Sequence, residues 1–69
     1  MNIIILVYNT KTFTGRILNS DGAEVQTYPK TDLIINPDKS RVQLCDRDNN
    51  DVVIGDFPYV FTAITYEFE

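Results

Sequence analysis

The chain has 69 residues, 43% of them apolar, a formal net charge of −4, one cysteine and no histidine. That size admits one small hydrophobic core, and the apolar share is that of a folded chain. With a lone cysteine and no histidine, an internal disulfide, a Cys/His zinc site, and Ser-His-Asp or Cys-His catalysis are all excluded.

Residues 2–8 open the chain as a strand, and Ile3 to Val7 is its only continuous apolar run. Five residues are too few for a membrane span or a signal sequence, so the run is expected to be covered on both faces. The opening methionine is taken as the start of a complete frame. The unpaired Cys45 fits a cytoplasmic location.

Residues 11–18 form the second strand after the Asn9-Thr10 break. Gly15 inside it predicts a bulge, a bend or the close approach of another backbone. Asn19-Ser20-Asp21-Gly22 is a turn signal, because Asn and Asp bond their own backbone and Gly22 supplies a positive φ. Residues 23–28 return as a strand that Pro29 ends. Residues 31–35 read as a strand rather than a capped helical turn. Asn36-Pro37-Asp38-Lys39 then fits a type I turn, with residues 40–45 pairing back. A polar loop at 46–51 leads to a strand at 52–57. Beyond Pro58, residues 58–69 alternate with period two and predict one long strand with an inward face of Val60, Ile64, Tyr66 and Phe68. Ile17 to Val25 echoes Leu44 to Val52 as strand, Asn/Asp-rich turn, strand, a likeness that hairpin composition explains by itself.

The fold class that follows is all-β, with 1–69 as a single small domain. Six or seven short strands form an antiparallel meander that closes wholly or partly into a barrel. The alternative is a two-layer sheet with one short helical turn at 31–36. The expected core is Ile3, Ile5, Val7, Phe13, Ile17, Val25, Leu33, Ile35, Val42, Leu44, Val52, Ile54, Val60, Ile64, Tyr66 and Phe68. A slip of one residue in any strand inverts its share.

No motif specifies an activity. Asp46-Arg47-Asp48-Asn49-Asn50-Asp51 resembles the opening of a calcium loop, but Asp51 stands where glycine is needed and Phe57 where the bidentate glutamate belongs. The loop is read as a solvated hairpin turn. No metal or cofactor is expected, and a chain this short has little material for a catalytic groove, so no enzyme is expected either. The Cys45 thiol is read as a small apolar filler, since Asp46 beside it opposes ionisation.

Aromatic residues at strand ends are the surplus. Tyr8, Tyr28, Phe57, Tyr59 and Phe61, with Asp48 and Asp51 supplying acidity, are the candidate protein-binding residues. The expected function is a non-enzymatic protein-binding module, an inhibitor or adaptor of the kind that phages and mobile elements encode. Its partner is another protein, one with a basic surface matching the acidic chain. The alternatives are a subunit that self-associates through its edges, such as Val52-Val53-Ile54, and a barrel-type binder of single-stranded nucleic acid. Nucleic acid is disfavoured, because the six basic residues are scattered and form no stripe. No membrane partner is expected.

Overall fold

The alternating β-branched and aromatic runs become seven strands in a computed structural model that describes residues 3–49 and 52–69. These are β1 (Ile4–Asn9), β2 (Thr14–Leu18), β3 (Glu24–Tyr28), β4 (Thr31–Asn36), β5 (Arg41–Asp46), β6 (Val53–Pro58) and β7 (Thr62–Glu67). Two sheets result. One has the order β3-β2-β1-β7 and the other β4-β5-β6. Within them β1-β2-β3 and β4-β5-β6 are each an antiparallel meander of consecutive strands, the cheapest connection. The chain is all-β, and the two-layer arrangement holds: the sheets do not close into a barrel.

Three expectations are corrected. β7 joins the first sheet by pairing parallel with β1, Leu6 opposite Ile64, so the meander is not wholly antiparallel. The strand expected at 31–35 is present as β4, and it is the alternative's short helical turn at 31–36 that is displaced, to Pro37–Lys39, where proline opens it and Asn36 Oδ1 accepts the Lys39 N–H. The long terminal strand is interrupted by a second 3₁₀ turn at Tyr59–Phe61, before β7 begins.

The core is formed by Leu6, Tyr8, Ile17, Val42 and Leu44, with Ile4, Tyr28, Leu33, Phe57 and Ile64 packed around it. β1 therefore turns Leu6 and Tyr8 inward, not Ile3 and Ile5. Both of its faces are apolar, so alternation could not choose between them. Val7 is buried as well, on the outer face, in a row with Arg16 and Thr65. The Arg16–Glu67 ion pair spans that side of β1. Phe13, Val25, Ile35, Val52, Ile54, Val60, Tyr66 and Phe68 are exposed, contrary to expectation. Phe68 is 76% exposed, because β7 is an edge strand and the opposing sheet has only three strands to cover four. Of the inward face expected beyond Pro58, Ile64 reaches the core.

Gly15 marks where the sheets meet. A Cβ placed there would lie 2.9 Å from Leu44 Cδ1. The close approach is by a side chain of the facing sheet rather than a backbone, and the register shift sits further along, between Ile17 and Leu18. Gly22 takes φ 87° in the predicted turn, with its N–H donating to the Asn19 carbonyl.

The two meanders share one plan. Leu6 opposite Ile17 and Tyr8 opposite Gly15 correspond to Leu33 opposite Leu44 and Ile35 opposite Val42. The shift at Ile17/Leu18 recurs at Leu44/Cys45. Asn9 Oδ1 accepts the Thr12 N–H as Asn36 Oδ1 accepts that of Lys39. Phe13 and Ser40, at φ 59° and 56°, close the two turns. The Phe13 carbonyl accepts the Thr31 N–H, and the Ser40 carbonyl accepts that of Tyr59. Turn composition accounts for a local echo. It does not account for matching registers, matching bulges and matching closing bonds across whole meanders, so the repeat is a property of the fold.

Gly15→Ala is expected to cost about 1–3 kcal/mol, because Leu44 is fully buried and has little room to retreat. Urea unfolding reads this directly, and an unchanged midpoint would show that the sheets do not meet at Gly15.

Candidate protein-interaction surface

The structure divides the predicted aromatic set. Tyr8 is only 6% exposed, so it is core and not surface. Its hydroxyl donates to the Thr31 carbonyl at 2.5 Å, and its ring meets Tyr66 edge-on at 6.5 Å. A tyrosine tolerates this position because its one polar atom finds a buried acceptor. Tyr28 and Phe57 are half-buried. Their rings pack edge-on at 6.2 Å, and Phe57 lies over the bare Cα of Gly55. They close one side of the core rather than face a partner.

Tyr59 and Phe61 are exposed, with Val60 between them at 70% exposure. Proline 58 breaks the strand, and the 3₁₀ turn then presents three successive apolar side chains. The turn is fixed at both ends. The Ser40 carbonyl accepts the Tyr59 N–H at 3.1 Å, while the Pro58 carbonyl accepts the Thr62 hydroxyl at 2.6 Å. The Thr62 N–H closes back on Tyr59. Such a turn offers apolar surface with little conformational freedom left to lose on binding.

The predicted acidic partners do not join it. Asp48 is exposed in the β5–β6 loop, where its N–H donates to Asp46 Oδ1. β6 separates that loop from the turn by about 20 Å at ordinary strand rise. Asp51 lies outside the described residues. In the same loop the Arg47 guanidinium pairs with Asp32 at 2.7 Å and stacks 3.6 Å from the Phe13 ring centre. That contact was not foreseen, since it joins three elements distant in sequence. Phe13 alternates with Gly15 and Ile17 in the sequence, which predicts an inward strand position, but the structure places it in the turn after β1, and that position brings it to Arg47.

Among the described residues, no three acidic or cysteine side chains converge as a metal site would need. A cleft of about 470 Å³ lies at the far end of β7, lined by Asn9, Glu67, Phe68 and Glu69. No helix among the described residues is long and apolar enough to cross a membrane. No protein-family model matches the chain, and no curated protein or solved structure matches it.

Burial, with the Asp32 carboxylate adding to it, pushes the Tyr8 phenol above its ordinary value of 10.0. The folded state therefore holds that proton more tightly than the unfolded chain does. The associated stability is complete below about pH 10 and is lost as pH rises through the raised value. Tyr8→Phe is expected to lose about 1–2 kcal/mol at neutral pH, by leaving the Thr31 carbonyl without its donor. It should also flatten the alkaline loss of stability. Denaturation of both proteins at pH 8 and above pH 10 checks this, and parallel alkaline losses would count against it.

Cys45 is 4% exposed on β5, in a row with Asp32 and Val53. It is expected to resist an aromatic disulfide reagent in the native protein and to react at once in denaturant. Rapid native labelling would contradict its burial.

Proposed function

We propose that this chain is a non-enzymatic module that binds another protein through the Tyr59–Phe61 turn. The observation that supports it is the run of three exposed apolar side chains on a turn pinned by hydrogen bonds at both ends. Tyr and Phe are favoured interface anchors, and pinning lowers the entropy lost on docking. The net charge of −4 favours a partner with a basic surface and speeds its encounter. A small inhibitor or adaptor has this profile.

The nucleic-acid alternative loses ground on electrostatics. Arg16, Arg41 and Arg47 each pair with an acid, respectively Glu67, Asp56 and Asp32. That leaves Lys11, Lys30 and Lys39, scattered along the chain, to neutralise phosphates.

Tyr59→Ala and Phe61→Ala are expected to keep the melting temperature near that of the wild type and to abolish partner capture. Phe57→Ala is expected to cost about 2 kcal/mol instead, because its ring packs against the core. A photo-crosslinking side chain at position 60 identifies the bound protein in lysate from the source cell. If the position-60 probe yields no protein that Tyr59→Ala removes, the turn is not a docking site.

A further inference from the structure

Open sheets leave edges, and the described residues have four, at β3, β7, β4 and β6. Edge strands are ordinarily guarded by charge, proline, a bulge or a covering segment. β3 carries Glu24 and a register shift, and β6 carries Asp56, Pro58 and a register shift. β4 carries Asp32 and runs into Pro37. β7 has none of these over Thr62-Ala63-Ile64-Thr65-Tyr66, and its one charge, Glu67, is taken up by Arg16 at its far end.

The hydrogen-bonding side of β7 can be assigned. The Glu67 carbonyl accepts the Thr10 N–H at 2.9 Å and so points toward β1. Because the direction alternates along a strand, Ala63, Thr65 and Glu67 turn their backbone groups to β1, while Thr62, Ile64 and Tyr66 turn theirs away. Among the described residues, no hydrogen bond reaches the Ile64 or Tyr66 backbone from that outer side.

We propose that β7 pairs antiparallel with β7 of a second copy of this chain, about a two-fold axis at Thr65. In this register Ile64 lies opposite Tyr66 of the second copy, and each exchanges both backbone bonds with the other. The Thr62 carbonyl is left for the Phe68 N–H. Shifting the axis to Ile64 would place Tyr66 opposite Thr62, whose N–H already serves the Tyr59 carbonyl, and would strand the Tyr66 carbonyl. The side chains match as well. Exposed Tyr66 gains a β-branched neighbour across the seam, Thr65 meets Thr65, and exposed Phe68 lies over Thr62. Glu67 faces Ala63 rather than another acid, so two chains of charge −4 meet along a neutral line. These features single out a second copy as the occupant, because the strand is complementary to itself. The inference does not rest on the Tyr59–Phe61 reading.

Thr65 is exposed and on the two-fold axis, which makes it the probe. The wild type is expected to sediment as a dimer. Thr65→Lys and Thr65→Glu should each give a folded monomer by far-UV circular dichroism and light scattering, since each sets like charges opposite one another. Mixing the two should restore a dimer. Thr65→Cys should cross-link on mild oxidation, because non-hydrogen-bonded antiparallel pairs bring Cα atoms to about 4.5 Å, within disulfide reach. Buried Cys45 does not compete. A wild type that stays monomeric at high concentration overturns the proposal. So does a dimer that survives Thr65→Lys and does not cross-link through Thr65→Cys. If Thr65→Lys fails to fold, the cross-link decides.

Discussion

The contact on which the molecule turns is Leu44 filling the space above Gly15. It brings the two sheets into direct contact, and Leu6, Ile17 and Val42 gather around it. A small domain has few such contacts, so each carries a large share of a stability that is marginal at this size. Thr31 is a second fastening. It is wholly buried, yet its N–H and hydroxyl both reach the Phe13 carbonyl, and its own carbonyl accepts from Tyr8. Sheet is stitched to sheet by backbone groups that would otherwise be a cost.

Using one plan twice has a consequence for the surface. Each meander buries the inward face of its central strand, and the two inward faces cover each other. The outer strands of both sheets are left only partly covered. The many exposed aliphatic and aromatic side chains follow from this arithmetic of layers rather than from the composition of any one segment. A larger domain would cover them with further strands or helices; here they stay exposed.

Charge is arranged in the opposite sense. The arginines meet acids, Arg41 with Asp56 on the neighbouring strand and Arg16 with Glu67 across the intervening β1, and Arg47 bridges a loop to Asp32 while stacking on Phe13. Each pair is partly solvated and contributes little stability by itself.

The all-β class, the turn chemistry and most strand positions were legible in the sequence, because they arise from local causes; residues 11–13 and 59–61, expected as strand, are turns. Asn19 and Gly22 shape their turn through their own side chain and φ, and Pro29 and Pro58 end strands by lacking a donor. The exposure of Tyr59 and Phe61 was legible too, as aromatics left over from an alternating pattern. What only the tertiary structure decided was the face and the neighbour. β1 is apolar on both sides, so its inward residues were chosen by the opposing sheet, and that choice took Tyr8 from the surface into the core. The parallel pairing of β7 with β1 joins the two ends of the chain, and the edge position it imposes is what exposes Tyr66 and Phe68. Alternation records that a strand has two faces. It holds no information about which strand will lie against it, because that is settled by packing between residues far apart in the chain.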